Sequence, residues 1–332
     1  MIITKTPFRM SFFGGGTDLP EFFNGNRGAV ISTTFDKYVY VTVRHLPRFF
    51  EYSTEIMYSK TEKVKDVDEI RHPMVRNAMK MLDMRELHIA YDADLPARTG
   101  LGTSSTFAVG LLNAFHCLKG RYVPKSQLAK EAIRLERELC GEAGGWQDQI
   151  AAAFGGLNRI DFKNNRFEVT PIIVSPERKR RLNDNLLLFF TGFTRFSAEI
   201  QQTTKALIKD RTQQLNRMLR LVDEAQNVLE NRERDLDDLG RLLDETWRLK
   251  RQTGSQISSD SIDALYEKGR RAGALGGKLL GAGGGGFLLF YVQPERRERV
   301  KAAFSDLMEV PFEFESSGTK VIYYTPELYV KQ

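Results

Sequence analysis

Three glycine-rich stretches hold many of the residues of this chain that could do chemistry. The central one, Asp94-Leu95-Pro96-Ala97-Arg98-Thr99-Gly100-Leu101-Gly102-Thr103-Ser104-Ser105-Thr106, runs into an apolar periodic segment of Phe107, Ala108, Val109, Leu111 and Leu112. It reads as a glycine loop opening a helix. Gly100 and Gly102 allow the backbone to turn sharply and approach a ligand, and the Thr and Ser residues offer caps and hydroxyls. Unpaired amides and the positive end of the helix dipole coincide at such a point, which suits a phosphate. The loop has neither the Gly-Lys-Ser/Thr ending of a P-loop nor the Gly-x-Gly-x-x-Gly of a dinucleotide site. Taken alone it could also be an ordinary capped helix.

The other two stretches flank it. Pro7-Phe8-Arg9-Met10-Ser11-Phe12-Phe13 leads into Gly14-Gly15-Gly16-Thr17-Asp18, and three glycines between an aromatic strand and an Asp mark a close backbone approach. Near the C-terminal side, Gly276-Gly277-Lys278-Leu279-Leu280-Gly281-Ala282-Gly283-Gly284-Gly285-Gly286 lies between a helix of about 261–274 and an apolar strand starting at Phe287. A flexible linker would be polar and loosely flanked, so these glycines point to required backbone conformations. Among the carboxylates, Asp148 stands out: Gly144, Gly145 and Trp146 precede it and Ile150-Ala151-Ala152-Ala153 follow, which places it beside a core.

These residues need a scaffold, and the pattern supplies one. Strands are expected at 2–6, 28–34 and 37–45, the last two forming a hairpin that turns near Phe35-Asp36, and at 87–91. Helices are expected over 73–82, over 104–117, and from a Ser126 cap to Gly141, with Leu128, Ala132, Ile133, Leu135 and Leu139 as the buried stripe. A hairpin of 156–162 and 166–173 turns at Asn164-Asn165. The basic stretch 176–183 reads as the boundary between two units, 1–180 and 181–332. Beyond it lie a buried strand at 186–190, helices over about 198–230 and 236–247, a helix at 295–308, and a terminal hairpin of 311–316 with 319–325.

At 332 residues the chain exceeds what one core usually supports. Hydrophobic content of 41% and charged content of 28% fit a globular protein and exclude a disordered one. The net charge of +6 favours anionic ligands. Its densest piece, Arg178-Lys179-Arg180-Arg181, lacks interleaved aromatics, so no nucleic-acid partner is expected. Cys117 and Cys140 lack metal-ligand spacing and imply a reducing compartment. With neither a leader-like N-terminus nor a spanning apolar run, no membrane partner is expected and the cytoplasm is the expected location. The oligomeric state stays open between monomer and homodimer.

The three stretches, in this order, resemble the three motifs of the GHMP small-molecule kinases over residues 5 to about 292. Lys5-Thr6-Pro7-Phe8-Arg9, the Gly14–Asp18 run and Gly144-Gly145-Trp146-Gln147-Asp148-Gln149 look most like the heptose 7-phosphate kinases within that family; fucokinase domains look similar. The resemblance implies an α/β (α+β) two-domain fold, with an N-terminal domain like ribosomal protein S5 domain 2, a ferredoxin-like C-terminal domain, and ATP and sugar in the cleft between them.

Phosphoryl transfer needs phosphate donors, a Mg2+ holder and a group that orients the attacking hydroxyl. The resemblance assigns nucleotide contacts to Pro96, Gly100, Leu101, Gly102, Thr103, Ser104, Ser105, Gly283 and Gly284. It assigns Mg2+ to Ser104 and Glu136, with Thr103 or Ser105 as alternatives to Ser104. Asp148 would accept the proton of the anomeric sugar hydroxyl with Arg9 as its cationic partner. Gly15, Gly16, Thr17 and Asp18 would hold the sugar, and Arg195 and Lys250 are candidates for a substrate phosphate. The alternatives are a kinase for L-fucose or another free sugar, and a non-catalytic protein that binds ATP and sugar.

Overall fold

A computed structural model describes residues 1–97, 99–192, 211–254, 257–281 and 283–325. Strand β1 (Ile2–Phe13) carries the first motif, and it pairs antiparallel with β2 (Gly28–His45) along nearly its whole length. The expected hairpin within β2 does not form: 28–34 and 37–45 are one continuous strand. The register skips from Pro7↔Tyr38 to Phe8↔Phe35, so Asp36 and Lys37 bulge out of the ladder where the alternation breaks. On either side of that bulge β2 takes different partners, β5 (Leu87–Ala93) at 39–45 and β6 (Asn158–Lys163) at 28–32. β3 (Thr54–Met57), β4 (Thr61–Val64) and β7 (Arg166–Pro171) extend the sheet. The β6–β7 turn falls at Asn164 and Asn165 as expected, both at positive φ.

The second sheet has four strands, β8 (Leu186–Phe190), β9 (Gly276–Leu279), β10 (Phe287–Tyr291) and β11 (Met308–Glu309), in the antiparallel order β11-β8-β10-β9. This order, with helices Thr212–Glu230, Asp238–Arg251 and Asp260–Ala272 between β8 and β9 and helix Pro294–Ala303 between β10 and β11, is the ferredoxin-like arrangement. Trp247, Tyr266, Phe290 and Phe304 form the core on one face of this sheet. Among the described residues no helix is long and apolar enough to cross a membrane.

Two further expectations change, and the stretch expected as a boundary takes a defined form. Ser126 does not cap its helix, which runs Lys125–Ile133 from a Pro124 N-cap and continues into a π-helical turn, Arg134–Leu139, closed by Cys140 N donating to Leu135 O at 2.9 Å. The basic stretch is the helix Pro176–Asp184, capped by Ser175, and Arg178 donates to the carbonyls of Val228, Leu229 and Arg234. The terminal hairpin is absent. Instead β12 (Phe314–Glu315) pairs with β2 and β13 (Lys320–Tyr324) pairs with β1, so these strands lie in the first sheet although the 181–332 unit would include them. The pattern gave two β-prone runs and a Ser317-Gly318 turn, but local alternation holds no information on which distant edge each run joins.

That return is fixed by close contact. Thr319 N donates to Ala152 O at 2.9 Å, Thr319 Oγ1 meets Thr6 Oγ1 at 2.8 Å, and a Cβ on Gly318 would lie 2.1 Å from Ala153 O. Gly318→Val should therefore lower stability by about 1–3 kcal/mol, read as a fall in the urea midpoint. An unchanged midpoint would mean that the segment does not pack there.

Candidate active site

The helix Thr103–Leu118 begins at Gly102, which sits in the left-handed region at φ 80° with no side-chain cap. Its first closing bond is Thr106 N to Gly102 O at 2.8 Å, so the amides of the first turn face outward. The third glycine stretch braces this loop: a Cβ on Gly281 would lie 2.3 Å from Gly100 Cα. Gly100 and Gly281, 181 residues apart, thus meet backbone to backbone, and only glycine fits on either side. Gly283 and Gly284 pack on Ile257, with Gly284 N donating to Ile257 O at 3.0 Å. Leu101 is core, and Pro96 is exposed while its carbonyl accepts from Thr99 Oγ1.

Asp148 stands in the first turn of helix Gln147–Phe154, against the phosphate-type loop: its Oδ2 is 3.3 Å from the point where a Cβ on Gly102 would be. Arg9, on β1, grips it with two bonds, Nε to Oδ1 at 2.6 Å and Nη2 to Oδ2 at 2.7 Å, and sends Nη1 to Gly100 O at 2.9 Å. The Arg9 side chain is 4% exposed and that of Asp148 20%, so the pair is fixed yet open to a ligand on the carboxylate side.

Asp18 is buried and accepts from the amides of Gly16 at 2.9 Å and Gln147 at 3.4 Å, while burial raises its pKa above the usual carboxylate range. A Cβ on Gly145 would lie 1.8 Å from Asp18 Oδ2, so that glycine makes room for the carboxylate. Gly15, Gly16 and Asp18 line a cavity together with Arg9, Asp148 and Lys250. Thr17, expected among the substrate contacts, turns inward: its hydroxyl donates to Gly14 O and Ala29 O, which holds the turn in shape. Arg195 lies outside the described residues.

The hydroxyls after Gly102 divide. Ser104 is exposed and donates to Glu142 Oε2 at 3.3 Å, Ser105 is buried and bonds Glu136, and Thr103 Oγ1 is buried with no partner. Glu136 is buried on the π-helical turn, bonded also by Gln149 Nε2, and burial raises its pKa. Sequence reasoning missed Arg137, whose guanidinium binds the carbonyls of Ala143 at 3.0 Å and Gly145 at 2.9 Å and so shapes the loop around Asp18. It also missed Lys278, Ser11 and Glu142. The first two belong to motif stretches already singled out, but a charge within a glycine run carries no signal of its direction.

Lys250 is buried on helix Asp238–Arg251 with Nζ donating to Gly281 O. Burial first, and then the nearby Arg9 cation, bring its pKa down to about 8 from 10.5. Between those values the unfolded chain keeps a proton that the folded one releases, so the cost of the buried charge is full below pH 8 and fades as pH rises toward 10.5. Lys250→Met should therefore raise the urea midpoint of the ligand-free protein at pH 7, and the gain should shrink from pH 8 to 10.5. A gain independent of pH would contradict the buried charge.

The family model described as GHMP kinases N terminal domain matches residues 71–156, and that described as GHMP kinases C terminal matches 225–310. The D-glycero-alpha-D-manno-heptose 7-phosphate kinase of Campylobacter jejuni is 30% identical over 96% of this chain and 98% of its own length. The bifunctional fucokinase/GDP-fucose pyrophosphorylase of Arabidopsis thaliana is 27% identical over 89% of this chain but only 30% of its own. Among solved structures, a D-glycero-D-manno-heptose 1-phosphate kinase from Bacteroides thetaiotaomicron shares the fold at a TM-score of 0.79 and 24% identity, over 98% of this chain and 100% of the other. A putative sugar kinase from Campylobacter jejuni, 26% identical over 96% of this chain and 97% of the other, follows at 0.69. With the three glycine motifs meeting around one ion pair and both domain models matched, the chain belongs to the GHMP kinase family.

Proposed function

We propose that the protein transfers the γ-phosphoryl group of ATP to the anomeric hydroxyl of a sugar phosphate, D-glycero-D-manno-heptose 7-phosphate in the first place, giving the 1,7-bisphosphate. The observation that carries this is the position of Asp148, held by Arg9 so that its Oδ2 lies 3.3 Å from where a Cβ on Gly102 would be, at the start of the uncapped helix. A sugar hydroxyl on the carboxylate side meets a proton acceptor and an anion-binding helix end at once. The hydroxyl oxygen forms a bond to the γ-phosphorus as the bond to the ADP oxygen breaks, and its proton passes to Asp148. The amides of Gly102–Ser105 hold the β- and γ-phosphates. Gly15, Gly16 and Asp18 hold the sugar, with Lys250 facing the substrate's own phosphate.

The residues fit a Mg2+ ion. Glu136 is a buried carboxylate with neutral hydrogen-bond partners, Gln149 and Ser105, and no salt bridge among the described residues. The Arg137 charge acts on it without forming a salt bridge, so a hard cation would be its first direct counter-charge, and Mg2+ takes few protein oxygens when it rides on substrate phosphates. Ser104 and Glu136 would hold it, joined by Glu142, and it would neutralise charge on the β- and γ-phosphate oxygens. The free thiols Cys117 and Cys140 support the cytoplasm, which also supplies ATP and sugar phosphates.

The relative of the Campylobacter enzyme's kind supports a phosphorylated sugar, and the fucokinase relative supports a free one. An ADP-release panel of heptose 7-phosphate, mannose 6-phosphate, fucose, galactose and mevalonate separates them. The sugar phosphates should give the highest kcat/KM, heptose 7-phosphate first. Equal or better use of fucose would overturn the substrate, and binding of ATP and sugar phosphate without ADP release in the presence of Mg2+ would overturn the kinase reading.

A further inference from the structure

Lys278 sits on β9 of the second sheet, yet its side chain crosses to the first. Its Nζ donates to Ser11 O at 2.8 Å and Phe12 O at 3.0 Å, at the end of β1 just before the glycine turn that leads to Asp18. The residue is 2% exposed and makes no salt bridge among the described residues. Lys250 is in the same position: buried, bonded to the Gly281 carbonyl, with no carboxylate partner among the described residues. Arg9, the neighbouring cation, is engaged with Asp148.

A buried ammonium without a counter-ion is expensive, and two that face one cavity repel each other as well. Desolvation, then Lys250 and then Arg9 push the Lys278 pKa well below the lysine range. Such an arrangement lowers its free energy when an anion enters between the two ammonium groups. A second observation points the same way. Ser11 is 5% exposed, its hydroxyl has no partner, and it lines the cavity beside Gly15. A hydroxyl and two ammonium groups, each with a proton still to donate, form a donor set for a phosphomonoester dianion.

The set also borders the sugar-holding turn. Asp18, in that turn, acts on the charge of both Lys250 and Lys278, and Ser11 lies beside Gly15 of the same turn. We infer that Lys278, with Ser11 and Lys250, binds the phosphate that the sugar substrate already carries and selects phosphorylated over free sugars. This inference rests on the reading of the protein as a sugar-phosphate kinase.

The test compares heptose 7-phosphate with heptose, and mannose 6-phosphate with mannose, in wild type, Lys278→Met and Ser11→Ala. Inorganic phosphate serves as a competing probe. Loss of a hydrogen bond from a charged donor to phosphate should raise KM for heptose 7-phosphate by at least ~10-fold in Lys278→Met, with the loss in KM rather than kcat. Ser11→Ala should show a smaller rise of the same kind, about 3-fold or more. Inhibition by inorganic phosphate should weaken in both. A fall in kcat at constant KM, or equal losses with free and phosphorylated sugars, would make Lys278 a strut between the sheets and overturn the inference. If Lys278→Met does not fold, Ser11→Ala decides, and an unchanged KM overturns the inference. Wild type using free and phosphorylated sugars equally would overturn the underlying reading and this inference with it. A wild-type preference that survives in both variants would overturn the inference alone.

Discussion

The structure of the site depends on one guanidinium. Arg9 joins three parts of the chain that are distant in sequence: strand β1 that carries it, the loop whose Gly100 carbonyl it binds, and the helix whose Asp148 carboxylate it grips through both oxygens. Two parallel charge-assisted bonds fix the plane of the carboxylate as well as its position, which a lysine's single ammonium could not do. The glycine contacts follow from this constraint. For Gly100 to reach Arg9 while the third stretch closes over it, backbone must lie on backbone, and the place where a Cβ on Gly281 would fall overlaps Gly100.

Around this pair the cavity concentrates costs that a merely stable protein would avoid. Asp18, Glu136, Lys250 and Lys278 are all buried ionisable groups, and burial pushes each toward its neutral form. None of the four has a salt-bridge partner among the described residues, while the surface abounds in ordinary pairs such as Arg27–Asp223 and Arg48–Glu86. Asp18, Lys250 and Lys278 line one cavity, with Glu136 outside its lining, and perturbed buried charges facing one cleft are the mark of a functional site. The π-helical turn contributes by geometry. It sets two successive residues to opposite tasks, with Glu136 turned toward Ser105 and Gln149 and Arg137 toward the loop carrying Gly145.

Much of this could be read from residues in order, because glycine runs, a Trp-Gln-Asp after two glycines and helical periodicity are local signals. The helix expected at 104–117 is found at Thr103–Leu118, and Arg9, Asp18, Asp148 and Lys250 line one cavity. What could not be read was non-local. Residues 28–45 looked like two strands because the Asp36–Lys37 bulge interrupts the alternation as a turn would. The last strands looked like a hairpin because adjacency in sequence is the default, whereas the open edges at β1 and β2 claimed them. Thr17 reads as a ligand contact by its neighbours, but its hydroxyl is used within the turn. Lys278 gave no warning because its role comes from crossing between sheets.

If the Arg9–Asp148 pair is the acting unit, its members should fail together. The direct measurement is kcat for Asp148→Asn, Arg9→Met and the double variant with heptose 7-phosphate, alongside ATP affinity. Asp148→Asn should lower kcat by ~10²- to 10⁴-fold with ATP binding retained, and adding Arg9→Met should cost little more, since residues acting as a unit are not additive. Turnover close to wild type in Asp148→Asn, or losses in the two single variants that multiply in the double, would contradict the account.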